Sequence, residues 1–112
     1  MPGINEINDF LFKVRLAIKN NRFKILDART KYTSTLGQLG IKQKDVLEDI
    51  AVLTAKEFCK KIMDNNPNYP GYVWVWKKYL HGESIYIKLK IKELKNEPSG
   101  FLLIMSYHID GM

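Results

Sequence analysis

Residues 85–92 read Ile-Tyr-Ile-Lys-Leu-Lys-Ile-Lys, an unbroken alternation of apolar and polar side chains. An extended strand turns that period of two into two coherent surfaces, because successive side chains point to opposite faces. One surface carries Ile85, Ile87, Leu89 and Ile91 and has to pack on a core. The other carries Tyr86, Lys88, Lys90 and Lys92, a phenol followed by three ammonium groups. Like charges in a row repel one another. The row is tolerable when solvated and favourable when an anion lies across it. With a formal net charge of +6, a phosphate backbone is the anion that suits it best. A merely solvated basic face is the competing reading at this point.

The 112 residues suffice for one compact domain with one core, taken as residues 1–112. A hydrophobic content of 46% is that of a globular chain and excludes a disordered one. No apolar run approaches the roughly 20 residues a membrane helix needs. The opening Met1-Pro2-Gly3-Ile4-Asn5-Glu6 lacks the basic-then-apolar layout of a signal peptide. The expectation is a soluble cytoplasmic protein without membrane association. A single cysteine, Cys59, excludes an internal disulfide, and it is expected to be a small buried apolar residue. One Cys and two His fall short of the four ligands of a structural zinc site, so neither metal nor cofactor is expected. The charge is unevenly spread: between Lys56 and Lys92 eight lysines face three acids, whereas beyond Lys92 a lone Lys95 faces Glu93, Glu97 and Asp110.

Ile4, Ile7, Leu11, Val14 and Ile18 step by three and four, which predicts a helix over 4–20, its stripe widened by Phe10 and Ala17. Arg22 to Leu26 alternates briefly, as a short strand would. Asp27 suits the N-cap of a second helix over about 28–37, stopped by Gly37 and Gly40. A third helix is expected over 43–53, with Val46, Leu47, Ile50 and Leu53 inward and Asp45, Glu48 and Asp49 outward. Strands follow at 56–63, 72–80, 85–92 and 101–108. They are separated by the turn-rich segment 64–71, by His81-Gly82-Glu83-Ser84 and by residues 96–100. The order predicts an α+β fold: N-terminal helices packed on one face of a C-terminal antiparallel sheet, with the other face open and carrying Tyr86 and the lysine row.

Several segments, in this order, resemble the MqsR family of type II toxin–antitoxin toxins, which are RelE-like mRNA interferases. The resemblance runs over about residues 8–108. It includes Arg29 near the start of the second helix, the Leu39-Gly40 ending, and Ile50-Ala51-Val52-Leu53-Thr54 leading into Glu57-Phe58-Cys59-Lys60. Gly82-Glu83-Ser84-Ile85-Tyr86-Ile87-Lys88 matches a glycine-containing turn into a Tyr-x-Lys strand. Leu103-Ile104-Met105-Ser106-Tyr107-His108 matches a closing Leu-Ile-x-Ser-Phe-Lys strand. The resemblance implies a metal-independent endoribonuclease that cuts mRNA at short sequences and is neutralised by a cognate antitoxin protein. The ribosome is left open as a further partner. It also implies catalytic roles at Lys60 and Tyr86. The family's third polar residue, a Gln after a Trp, falls on Val75 if Trp74 is matched and on Lys77 if Trp76 is matched. His108 stands where the family usually has Lys.

RNA cleavage of this kind uses the substrate's own 2′-hydroxyl against the adjacent phosphate. The site must take the 2′ proton, stabilise the phosphorane charge and protonate the leaving 5′ oxygen. Lys60 suits charge stabilisation, or proton transfer if neighbouring cations lower its pKa. Tyr86 suits a phosphate hydrogen bond or acid–base work, with clustered lysines expected to lower its pKa. Lys77 can replace the Gln as a phosphate contact, and His108 titrates nearest neutrality. Lys61, Lys78, Lys88, Lys90 and Lys92 are candidate RNA contacts, with Tyr69 and Tyr72 as stacking rings for unpaired bases. Each has an ordinary structural counterpart. Lys60 shares strand parity with Phe58 and Ile62 and can snorkel from a core-facing side. His81 reads as a solvated turn residue, and Trp74 and Trp76 as core. Two other functions fit the same basic face: a nucleic-acid-binding module without catalysis, and an interaction protein that docks an acidic partner.

Overall fold

The computed structural model describes residues 2–26, 30–64 and 70–112, apart from the side chains of Pro98 and Ser99. Three helices, α1 (Ile4–Lys19), α2 (Lys31–Leu39) and α3 (Gln43–Ala51), precede the main strands, with a short strand β1 (Phe23–Ile25) between the first two. One 3-10 turn (Ala55–Glu57) leads into β2 (Phe58–Met63), β3 (Tyr72–Leu80), β4 (Glu83–Leu94) and β5 (Glu97–Ile109). The strands form one sheet in the order β1-β5-β4-β3-β2, and the helices cover one of its faces, as the α+β reading requires. All neighbours are antiparallel except β1, which pairs parallel to β5. The four C-terminal strands are antiparallel as expected, and the short N-terminal strand joins them parallel to β5 at the sheet's edge.

α1 buries Ile7, Phe10, Leu11, Val14 and Ala17, the anticipated stripe, while Ile4 at its start stays exposed. These side chains meet Trp74 and Trp76 of β3, with Phe10 stacked on Trp74 at 4.2 Å between ring centres. Ile85, Ile87 and Leu89 are fully buried on the same side of the sheet. Both tryptophans are therefore core, and the Trp76 indole N–H donates to the Thr54 carbonyl at 3.0 Å. α2 does not stop at Gly37. It continues until Leu39 has packed on the core and ends at Gly40, whose left-handed backbone (φ 67°) closes the helix. The proposed cap Asp27, and Arg29, lie outside the described residues.

β4 and β5 are longer than the sequence suggested, joined by the two-residue turn Lys95-Asn96 rather than by a loop to Gly100. Gly100 sits inside β5 with φ 69°, and a Cβ there would come within 2.7 Å of the Lys92 carbonyl oxygen. The glycine is thus where two backbones approach too closely for any side chain. One acidic position expected to face solvent is also revised. Asp49 accepts a hydrogen bond at 2.7 Å from the buried Tyr107 hydroxyl and another at 2.7 Å from His81 Nε2. It therefore ties α3 to β5 and to the β3–β4 turn, and His81 is not simply solvated. No helix among the described residues is long and apolar enough to cross a membrane.

Candidate active site

The face of the sheet away from the helices is ordered by strand register. Lys77 of β3 lies opposite Tyr86 of β4, and Tyr86 lies opposite His108 of β5. These three form one row across the sheet. The next row holds Lys60 of β2, Val75, Lys88 and Ser106. Lys60 reaches this face through a β-bulge. Phe58 pairs with Trp76 while Lys60 pairs with Val75, so Cys59 is the extra residue. A bulge resets the two-residue alternation. Phe58 stays against the core rings, edge-on to Trp76 at 5.1 Å, and Lys60 turns to the opposite face. The snorkelling alternative for Lys60 assumed an unbroken strand and is corrected by this shift. Cys59 is corrected as well: it is exposed, because it is the bulged residue of an edge strand.

Within the first row the contacts are direct. The Tyr86 and His108 rings stack at 5.2 Å with 20° between their planes. His108 Nδ1–H donates to the Ile109 carbonyl at 2.9 Å. A carbonyl only accepts, so Nδ1 carries a proton and Nε2 is the ring nitrogen left free of this bond. The Lys77 ammonium lies 3.3 Å from an Asp110 carboxylate oxygen. Burial pushes the Tyr86 phenol above its ordinary value. Cys59 and Asp110 add to that rise, and Lys77 opposes it. The expectation that clustered lysines lower this pKa is therefore reversed: partial desolvation outweighs the one cation that acts on the ring. Tyr86 is held as a neutral hydrogen-bond donor.

The row is anchored from behind. Ile109 N–H donates at 3.0 Å to Thr35 Oγ1, a fully buried hydroxyl of α2, and Asp110 N–H donates at 2.8 Å to the Ser84 carbonyl. Tyr107, between Ser106 and His108, is locked through its hydroxyl to Asp49. The end of β5 that presents His108 and Asp110 is thus fixed by α2, α3 and β4.

The predicted RNA contacts divide. Lys88 and Lys92 lie on the far face with the row, Lys92 exposed and Lys88 partly so. Lys90 shares their parity but is 3% exposed, and its ammonium donates to Asp64 at 2.9 Å. Val73 and Leu103 beside it are also buried, so the far face is covered around Lys90 and exposed again at Lys92. Lys61 and Lys78 have the opposite parity. Lys61 pairs with Glu6 at 2.8 Å, its ammonium 4.6 Å from the centre of the Tyr72 ring and 4.8 Å from that of Trp74. Lys78 pairs with Glu57 at 3.3 Å. Tyr72 is half exposed beside Lys61, and Tyr69 lies outside the described residues. Of the two positions for the family's Gln, Lys77 is in the row with Tyr86, and Val75 is a fully buried apolar residue one row away. Sequence reasoning missed Asp110, although simple alternation from His108 puts it on the same face.

Among the described residues no three His, Cys, Asp or Glu side chains gather as a metal-binding group. A comparison with curated proteins finds no match. The family described as motility quorum-sensing regulator, toxin of MqsA, matches residues 10–108. That span contains Lys60, Lys77, Tyr86 and His108 together with β1 to β4 and all but the last residue of β5. The chain belongs to this family of toxins of toxin–antitoxin systems.

Proposed function

We propose that the protein is an endoribonuclease that cuts single-stranded mRNA without a metal, through the substrate's 2′-hydroxyl, and is silenced by a cognate antitoxin. Its place of action is the cytoplasm, where mRNA is exposed. One observation carries this reading: the register row Lys77–Tyr86–His108, with Lys60 turned onto the same face by the bulge at Cys59. That row combines a cation, a neutral phenol and an imidazole with an available nitrogen, the three chemistries that transesterification needs.

In the proposed step the 2′-oxygen attacks the adjacent phosphorus and the P–O5′ bond breaks. The products are a 2′,3′-cyclic phosphate and a 5′-hydroxyl. His108 Nε2 accepts the 2′ proton, since its Nδ1–H is committed to the Ile109 carbonyl. Tyr86, kept protonated by burial, donates to the phosphorane or to the leaving 5′ oxygen. Lys60 and Lys77 stabilise the equatorial charge, a role that needs position more than proton exchange.

The test is incubation of a long defined mRNA with the protein in EDTA, with the 5′ ends mapped by primer extension. Discrete cuts are expected from the wild type. Tyr86→Phe and His108→Ala should each slow them by about 10²–10⁴-fold, the range of a lost acid or base, and Lys60→Ala should also be strongly impaired. Full activity in all three folded variants refutes the residue roles. Intact RNA from the wild type, with and without ribosomes, refutes cleavage and leaves a binding module.

A further inference from the structure

A cavity of about 730 Å³ opens at the end of the sheet remote from the Lys77–Tyr86–His108 row. Its apolar lining is Phe10, Trp74, Ile91 and Leu103. Its charged rim has both signs, with Asp9 and Glu93 against Lys13, Lys61 and Lys92. Tyr72 stands among these residues with 48% of its surface exposed. The size is that of a small-ligand pocket.

The mixture of groups discriminates among ligands. A site for phosphate alone would carry one sign of charge. A groove for an apolar peptide would not be ringed by carboxylates and ammonium groups. A flat ring with polar edges and an adjoining anion satisfies all three elements: an apolar floor, carboxylate acceptors for N–H donors, and cations for phosphate. Phe10 stacks on the Trp74 ring, which is only 7% exposed, and the Lys61 ammonium that Glu6 holds lies over both Trp74 and Tyr72, 4.8 and 4.6 Å from their ring centres. Tyr72, far more exposed, is the ring left to stack. Lys92 joins this cavity to the row, since it belongs both to the rim and to the polar side of β4 that begins at Tyr86. Six residues of strand separate the two, about 20 Å, and the cavity, walled by Asp9, Phe10 and Lys13 of α1, opens on the helix side, so an RNA chain reaching both passes round the end of the sheet at Lys92.

We infer that this cavity is a subsite for one unpaired base of the RNA, stacked on Tyr72, with its polar edge read by Asp9 or Glu93 and its phosphate held by Lys92. The inference rests on the proposed ribonuclease reading and adds a readout site distant from the cut. It also explains why the predicted RNA contacts fall into two groups: Lys60, Lys77 and Lys88 serve the phosphate that reacts, and Lys61, Tyr72 and Lys92 serve a base that does not.

The experiment titrates ¹⁵N-labelled protein with short 2′-O-methyl oligonucleotides of A, C, G or U, which have no free 2′-hydroxyl, and with an abasic oligonucleotide of the same length. The indole N–H of Trp74 reports on the cavity. That of Trp76, buried and bonded to the Thr54 carbonyl, is the internal reference. The base-bearing oligonucleotides should displace the Trp74 signal in a saturable way, unequally among the four bases, while the abasic one leaves it in place. Tyr72→Ala should weaken this binding about tenfold, as loss of one base stack does, and Tyr72→Phe should retain it. No displacement, equal displacement by the abasic oligonucleotide, or wild-type affinity in Tyr72→Ala overturns the subsite. The titration needs no cleavage, so intact RNA in the EDTA assay would defeat the ribonuclease reading without imitating any of these results.

Discussion

Single side chains set both the chemistry and its background. Tyr107 and Tyr86 are two strand residues with the same functional group and opposite duties. Tyr107 is buried on the helix side, donates to Asp49, and has its pKa pushed far up by that burial and by the carboxylate. A proton held more tightly in the folded chain than in the unfolded one stabilises the fold fully below the unfolded phenol's pKa of about 10. That contribution is lost as pH rises beyond it, by about 1.4 kcal/mol per pH unit for one proton. Denaturant unfolding across alkaline pH should show this decline, and Tyr107→Phe should flatten it. At neutral pH the same substitution removes a hydrogen bond to a charged acceptor and should cost about 1.5–3 kcal/mol. Tyr86 faces the other way, and Tyr86→Phe should leave neutral-pH stability within about 0.5 kcal/mol, the ordinary range of a surface change, while cleavage collapses.

Elements place these side chains, and local irregularities decide where they point. The bulge at Cys59 converts Lys60 from a core-parity residue into a member of the far face. Its consequence is measurable: the Cys59 thiol should react with a disulfide reagent in native buffer as fully as in denaturant, whereas a buried thiol would wait for unfolding. The second irregularity is Gly100, where β4 and β5 approach. Gly100→Ala forces a left-handed backbone, about 1–3 kcal/mol, on top of a Cβ only 2.7 Å from the Lys92 carbonyl. A lowered denaturant midpoint with unchanged slope would report it. The sequence made the β4 alternation legible because a period of two over eight residues has only one structural meaning. It made the α1 stripe and the tryptophan core legible for the same reason. Neither the bulge nor the parallel edge strand β1 leaves such a trace. Each is settled by which partner a strand finds, not by its own pattern. The same limit hid half of the site. Tyr86 and Lys88 were readable from their own strand. The row they share with Lys77, His108 and Asp110 exists only through register, and the burial of Lys90 depends on Asp64 in a distant segment.

At the scale of the whole molecule, the net charge of +6 is less informative than its division between two faces. Several lysines are consumed locally: Lys61 by Glu6, Lys78 by Glu57, Lys90 by Asp64. The first two are partly exposed and add at most about 1 kcal/mol each to stability, the third is buried, and all three remove cations from the field that an RNA chain meets. Lys60, Lys88 and Lys92 stay on the far face with the row. Binding of single-stranded nucleic acid releases counterions, so the logarithm of its affinity falls with the logarithm of salt by about 0.7 per phosphate neutralised. Lys88→Ala and Lys92→Ala should each reduce that slope by about 0.7, measured by fluorescence anisotropy with a labelled, uncleavable oligonucleotide. Lys78→Ala should leave the slope unchanged, although it removes the same charge from the same chain. If all three variants changed the slope equally, net charge alone would govern binding and the far face would have no special standing. A difference between Lys78 and the other two would show that register, more than composition, turns a basic chain into an oriented one.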